Sequence, residues 1–169
     1  IDIVIANAGI GGEDNIVSGD SSSINKIIEI NIIGVSNTVI PFIPYMKRNR
    51  SGFIAIISSI ASFIPVPGHG GYSSSKVAVR FLAESFRYSL SDYNISVSSI
   101  CPGYIRSEMT DSKNVFMPFL MDTDIAARKI VRAIDRRKEQ YIFPWQWRLF
   151  LPILAPIIRF FPFIVKKFL

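Results

Sequence analysis

Four short apolar runs, separated by stretches of helical periodicity, constrain this chain more than any other feature. They read "IDIVIANAG" at 1–9, "SGFIAIISSI" at 51–60, "NISVSSICPGYI" at 94–105 and "YIFP" at 141–144. Each is strand-length, apolar along most of its course and closed by turn-forming residues, the pattern of strands buried in a parallel sheet. Between the first two, Ile24, Ile27, Ile28 and Ile32 recur at helical spacing, behind Asp20 or a neighbouring serine as cap. Pro41 and Pro44 later in that stretch predict a start, kink or irregular turn. The segment 71–93 carries Val79, Leu82, Ala83, Phe86 and Leu90 on one stripe, and 122–140 is a capped amphipathic helix with Asp122 at the cap and Asp124 in the first turn. Strands alternating with helices require crossover connections, so the expected fold class is α/β, a parallel sheet with helices on both faces.

The 169 residues give room for one domain with a sizeable core, and 49% hydrophobic against 19% charged residues is a globular composition. No repeat, low-complexity tract or second globular domain is visible. Charge is uneven. Residues 1–127 hold 9 Lys/Arg and 11 Asp/Glu, a net of −2, whereas 128–169 hold 10 and 2, a net of +8. A basic C-terminal quarter argues against a nucleic-acid groove through the whole domain. The single cysteine, Cys101, excludes an internal disulfide, supplies no metal cluster and fits a reducing, cytoplasmic compartment.

The chemistry-bearing motif is "GGYSSSK" at 70–76. Tyr72 and Lys76 stand at i and i+4, which on a helix puts both side chains on one face about a turn apart. A phenol with its usual pKa of about 10 is a poor acid or base at neutral pH, and a neighbouring ammonium is expected to lower that value. The spacing alone also describes many solvated helix starts. Its context adds weight. Ser59 closes the second strand 13 residues earlier, Asn7 ends the first strand in "NAG", Asn31 falls in "INIIGV", and Pro102-Gly103 ends the third strand. In open α/β sheets, ligands sit outside the carboxyl ends of strands, where a hydroxyl can donate to an oxygen that gains charge.

In this order "NAG" (7–9), "INIIGV" (30–35), "ISS" (57–59), "YSSSK" (72–76) and "PGYIRS" (102–107) resemble the short-chain dehydrogenase/reductase family, over about the first two-thirds of the chain. The resemblance implies a doubly wound Rossmann-like sheet, of which this chain would hold strands 4–7. It implies NAD or NADP as cofactor and hydride transfer to or from a carbonyl or secondary alcohol. Tyr72 would be the general acid/base. Lys76 would lower its pKa and bind the nicotinamide ribose. Ser59 would polarise the carbonyl, and Asn31 would hold the water of a proton relay. Asn7 would order the strands beside the cofactor. Pro102, Gly103, Ile105 and Ser107 match positions along the nicotinamide, Ser107 standing where the family often has Thr. Homo-oligomers pairing two long helices are expected by the same resemblance.

One departure is large: the family's first strand and Gly-rich phosphate turn have no counterpart. "GIGGED" (9–14) and "GHGG" (68–71) follow the wrong elements. The expectation is a C-terminal part of a longer product, lacking on the order of 80 residues at ~30 per βαβ unit, with the edge of the first strand bared.

His69, Cys101 and the Met/Phe-rich "NVFMPFLM" (114–121) read as a loop histidine, a buried small hydrophobe, and core packing or a cover over a hydrophobic substrate. Residues 1–144 form the domain, and 145–169 an apolar, basic tail. At 100° per residue Arg148, Arg159 and Lys166 fall within about 20° of one another. Pro152, Pro156 and Pro162 predict short broken helices in place of one rod. Such a tail fits an anionic membrane surface, giving a peripheral protein on the cytoplasmic face, or docks onto the domain or a partner subunit. The alternative to an oxidoreductase is a non-catalytic, membrane-associated scaffold that keeps the fold.

Overall fold

A computed structural model describes residues 1–111 and 116–160. Its sheet has four parallel strands in the order β1 (Ile3–Ala6), β2 (Gly52–Ile57), β3 (Ile95–Pro102) and β4 (Gln140–Phe143). Between β1 and β2 one long helical stretch runs through α1 (Ser22–Ile28), a π-turn (Glu29–Ile33), α2 (Gly34–Val39), a 3-10 turn (Ile40–Phe42) and α3 (Ile43–Asn49). Pro41 and Pro44 stand in the first positions of the 3-10 turn and of α3, where the missing N–H costs little. Helix α4 (Gly70–Leu90) connects β2 to β3; the short α5 (Glu108–Asp111) and α6 (Thr123–Asp135) lie between β3 and β4, and α7 (Trp145–Phe160) follows β4.

The sheet is covered on both sides, the doubly wound arrangement expected. Strand β2 is buried along its whole length. Its Ile54 and Ile56 join Val35, Val39, Met46, Val79 and Ala83 on the face covered by α1–α4. Its Phe53, Ala55 and Ile57 join Ile100, Ala126, Ile134 and Phe143 on the α6 face. The period-2 alternation of a strand thus serves two cores at once. By length and composition alone Ser22–Asn49 is apolar enough to span a bilayer; within it Ile27, Asn31, Val35, Val39 and Met46 are buried in the domain, while Ile33 and Ile40 are half-exposed.

Three expectations are corrected. Strand β1 is buried on one face only: Val4 and Ala6 point into the core, while Ile3 and Ile5 are each 47% exposed, because the described helices leave that face of this edge strand partly uncovered. Asp122 occupies the N-cap position of α6 but makes no side-chain cap bond; its carboxylate pairs with Arg106 Nε at 3.1 Å. Over its described part, 145–160, the tail forms one 16-residue helix, not broken segments. Pro152 and Pro156 lie inside α7 on exposed positions. The opposite face anchors the helix through buried Trp147 and Leu151 against Ile60, so tertiary packing overrides the cost of the prolines. Pro162 and Lys166 lie outside the described residues, as do Asn114 and Val115.

Candidate active site

Helix α4 places Tyr72 and Lys76 one turn apart in its first two turns. Its N-terminus is held by Asp14, whose two carboxylate oxygens accept the Gly71 N–H at 3.2 and 3.1 Å. A negative charge there also complements the helix dipole. A Cβ on Gly70 or Gly71 would stand 3.0 or 3.1 Å from the same carboxylate, so the paired glycines are what let it approach. Because Asp14 takes the Gly71 N–H, "GHGG" opens a helix whose first donors are already engaged.

Ser58 and Ser59 follow β2 directly. Ser58 Oγ donates to the Lys76 carbonyl at 2.8 Å and Lys76 Nζ donates to the Ile57 carbonyl at 3.0 Å, so the end of β2 and the second turn of α4 are bonded in both directions. Ser59 Oγ accepts the Ala61 N–H at 3.1 Å and is hydrogen-bonded to the Tyr72 phenol. The ammonium of Lys76 lies 5.6 Å from the centre of the Tyr72 ring. Asn31, fully buried in the π-turn, clamps the loop after β1: its Oδ1 accepts the Ile10 N–H at 2.8 Å and its Nδ2 donates to the Ile10 carbonyl at 2.9 Å. The same Nδ2 reaches Ser75 Oγ on α4 at 3.0 Å. A Cβ on Gly9 would stand 3.2 Å from both Asn31 Oδ1 and Lys76 Nζ, so the glycine of "NAG" sits between the two side chains. Ser59, Tyr72, Lys76 and Asn31 therefore converge where the ends of β1 and β2 meet the start of α4.

The electrostatics differ from the expectation that Lys76 lowers the Tyr72 pKa. Burial pushes the Tyr72 phenol up, and its hydrogen bond to Ser59 pulls in the other direction by less. The cause is the phenol's own burial, which disfavours its charged form; Lys76 is buried too and desolvation lowers it from the usual 10.5 to about 8, yet it is still mostly charged at neutral pH. The phenol in this environment is a held proton, not a ready base.

The remaining expected positions are spread along the same edge of the sheet. Asn7, just beyond β1, is exposed and makes no side-chain hydrogen bond among the described residues. Pro102 is buried at the end of β3 opposite Phe143, and the Gly103 N–H donates to the Phe143 carbonyl at 2.7 Å. Ile105 is half-buried and bridges Met121, tying the segment after the Pro-Gly turn to the start of α6. Ser107 is exposed; its N–H donates to Thr110 Oγ1 at 2.8 Å ahead of α5. His69 is a half-buried residue at the N-cap of α4, whose Nδ1 lies 3.1 Å from the Pro67 carbonyl. Cys101 is buried, and desolvation raises its thiol to about 11, which suits a packed hydrophobe and not a nucleophile.

Sequence reasoning missed Asp14, Gly9, Ser58, Ser75 and Met109. The Met109 sulfur would be 3.2 Å from a Cβ on Gly11, itself next to the Tyr72 ring, so Met109 closes over the loop beside the phenol. The signals for these were slight: an acidic residue in a Gly-rich loop, and serines filling the interval between Tyr72 and Lys76. An open depression of about 500 Å³ lies elsewhere, along β1 and the long helical stretch; its lining includes Ala6, Ile30, Ile33 and Thr38 but none of Ser59, Tyr72 and Lys76.

Comparison with known proteins matches this geometry to one family. Residues 1–117 match the short chain dehydrogenase profile. An uncharacterized oxidoreductase of Myxococcus xanthus is 36% identical over 86% of this chain and 58% of its own length. A 3-oxoacyl-[acyl-carrier-protein] reductase of Staphylococcus aureus is 30% identical over 82% of this chain and 61% of its own. This chain therefore spans about three-fifths of the length of those relatives. Among solved structures, a short chain dehydrogenase from Burkholderia cenocepacia in complex with NADP superposes with a TM-score of 0.80 at 26% identity, over 92% of this chain and 66% of that one. One from Sphingobium yanoikuyae in complex with NADPH gives 0.78 at 24% identity and shows the shared fold. The chain belongs to the short-chain dehydrogenase/reductase family.

Proposed function

We propose that this chain carries the catalytic portion of an NAD(P)-dependent oxidoreductase acting on a carbonyl or secondary alcohol, and that the substrate is hydrophobic. The observation that carries the reading is the convergence of Ser59, Tyr72, Lys76 and Asn31 at the carboxyl ends of β1 and β2. The surroundings fit the nicotinamide end of such a cofactor. Buried Lys76 spends one donor on the Ile57 carbonyl, leaving two for a vicinal diol, and Gly9 leaves open the space that a Cβ would fill beside Nζ. When bound, the nicotinamide supplies or accepts the hydride.

The chain's own residues do the rest. Ser59 Oγ and the Tyr72 hydroxyl, bonded to each other, present two polar groups to one substrate oxygen. Tyr72, kept protonated by burial, gives its proton to that oxygen as a carbonyl is reduced. Lys76 stabilises the phenolate so formed, and Asn31 keeps the loop after β1 and the start of α4 in register while the proton is replaced through water. Ile105 and Ser107 stand beyond the Pro-Gly turn as contacts for the carboxamide. Asn7, at the end of β1, serves the same edge. Exposed Met109, Phe116, Phe119 and Leu120 give the neighbouring surface its apolar character, which is why the substrate class is hydrophobic.

Val77, Phe81 and Tyr88 form an exposed stripe on α4 that suits pairing with a second copy, the oligomer expected of the full-length protein. Sedimentation velocity of that protein tests it: a monomer at micromolar concentration would remove the assignment. For the activity, the full-length protein is assayed for carbonyl-dependent oxidation of NADPH and NADH. Turnover that falls by about 10²-fold or more in Tyr72→Phe supports the roles given, the size expected of a proton-transfer contribution. Cofactor binding with no turnover on any hydrophobic carbonyl favours the non-catalytic scaffold, and unchanged turnover in Tyr72→Phe would remove Tyr72 from the mechanism.

A further inference from the structure

Helix α7 is apolar on two opposite faces. Trp147 and Leu151, with Leu154 partly buried, form the inner face against Ile60, Phe63, Tyr104 and Ile142. The outward face carries Trp145, Leu149, Ile153 and Phe160, exposed by 66%, 58%, 60% and 73%, with Pro152 and Pro156 between them. At 100° per residue these six fall within about a third of a turn, with Arg148 and Arg159 along one border of that strip. A helix docked by one face and facing water on the other has polar residues outside; this one does not. The strip is continuous with a second exposed apolar segment. Phe119 stacks on Phe150 at 6.0 Å and 8° and meets Trp147 edge-on at 5.9 Å, and Leu120 and Phe116 extend the surface beyond it. A patch of this extent on a protein surface marks an interaction site.

We propose that this face of α7, with Phe116, Phe119 and Leu120, docks onto the surface of an anionic lipid bilayer. Charge selects the occupant. Residues 128–169 hold 10 Lys/Arg against 2 Asp/Glu, and the strip's own border is Arg148 and Arg159. Two copies paired through this face would set like charges against each other, whereas anionic headgroups complement them. Tryptophan and phenylalanine beside basic residues are what an interfacial helix uses, its apolar face entering the headgroup boundary and its arginines staying at phosphate level. The segment is too interrupted by charge to cross the bilayer: its longest uncharged run, 149–158, is ten residues against the roughly 20 apolar residues a crossing requires. The inference is independent of the proposed activity. Combined with it, the Ile105–Met121 bridge puts the lipid-facing segment directly after the Pro-Gly turn of the site, so a lipophilic substrate would enter from the membrane side.

The test uses the full-length protein and vesicles of phosphatidylcholine with or without phosphatidylglycerol. The expected result is cosedimentation with phosphatidylglycerol vesicles at moderate salt and at least fivefold weaker binding to phosphatidylcholine alone. Leu149→Glu/Ile153→Glu should weaken vesicle binding tenfold or more, and Arg148→Glu and Arg159→Glu about fivefold each, while Val17→Glu in the loop after β1 leaves it unchanged. All five positions are exposed, so thermal melts should match the parent. Tryptophan emission should move to the blue on vesicle addition and lose that shift in Trp145→Phe. A parent that does not sediment, a double variant that binds vesicles like the parent, or a double variant whose only change is dissociation of a dimer each overturns the proposal.

Discussion

Gly103→Ala is the most sharply determined perturbation in this structure. An added Cβ would stand 2.6 Å from Trp147 Nε1, 2.8 Å from Trp147 Cδ1 and 3.3 Å from Pro144 Cδ. None of these atoms is the free end of a flexible side chain. Trp147 is 6% exposed, packed with Ile60 and Leu151, and flanked by the Tyr104 and Phe119 rings at 6.1 and 5.9 Å. To restore an ordinary contact the indole must move by roughly 1 Å within a close-packed cluster, and overpacking of this kind costs about 1–3 kcal/mol. For a domain of 150–250 residues that is a fall in Tm of about 2–4 °C per kcal/mol.

The cycle partner is Trp147→Phe, which removes both atoms that the new methyl would meet and keeps a ring in the cluster. Trp147 Nε1 is buried with no hydrogen-bond partner among the described residues. Losing an orphan donor recovers part of its desolvation penalty, about 1–3 kcal/mol, and offsets part of the lost burial. Trp147→Phe alone should therefore be mild, and Gly103→Ala in that background should cost at least 1 kcal/mol less than in the parent. Urea denaturation of the four proteins gives the coupling. Additivity within about 0.5 kcal/mol, the range for independent sites, would refute the claim that Gly103 exists to admit the indole.

Lys76→Met should stabilise the fold at pH 7 while abolishing turnover. The folded lysine titrates near 8 instead of 10.5, so the unfolded chain holds more protons between those values; stability rises with pH across that window, and the buried charge costs about 3 kcal/mol below it. Denaturation at pH 7 and pH 10 checks this: the gap between the two should be present in the parent and absent in the variant. Asp14→Ala should cost about 1–2 kcal/mol by freeing the Gly71 N–H at the start of α4, and should lower kcat more than it raises KM, because Tyr72 sits in the turn that is loosened. In the reductive direction kcat should decline above about pH 8 as the Lys76–Tyr72 pair loses a proton, the midpoint belonging to the pair; a profile flat to pH 10 would detach Lys76 from proton transfer.

The parallel sheet was legible because each strand is an apolar run with a turn-forming end, and the motif order placed Asn31, Ser59, Tyr72 and Lys76 at one edge of it. What stayed hidden depends on contacts that no local pattern encodes. The bared edge of β1 was expected; that Ile3 and Ile5 are also half-exposed depends on which helices cover that face, which strand-level patterns do not give. The π-turn at Glu29–Ile33 widens a helix by one residue without disturbing the spacing of its isoleucines, so periodicity passes over it. The unbroken α7 required knowing that Trp147 and Leu151 would find Ile60. The direction of the Tyr72 shift was misread because the sequence shows that Lys76 is near, not how deeply the phenol itself is buried.

The site residues are bonded mainly to backbone, and this decides how the site keeps its shape. Asn31 grips the peptide groups of Ile10, Lys76 the carbonyl of Ile57, Ser58 the carbonyl of Lys76, and Asp14 the N–H of Gly71. Each bond joins the end of a strand, or the loop behind it, to the long helices beside the sheet. The ends of β1 and β2, the π-turn and the first two turns of α4 are thereby one cross-braced unit, and Tyr72 inherits its position from that unit before any substrate contact is made. Preorganisation of this kind lets a catalytic hydroxyl meet its target without reordering its surroundings. On the proposed reading labour is divided in the chain: the braced unit would fix the proton chemistry, while Met109, the 116–121 segment and α7, held by apolar contacts, would be free to differ in what they admit.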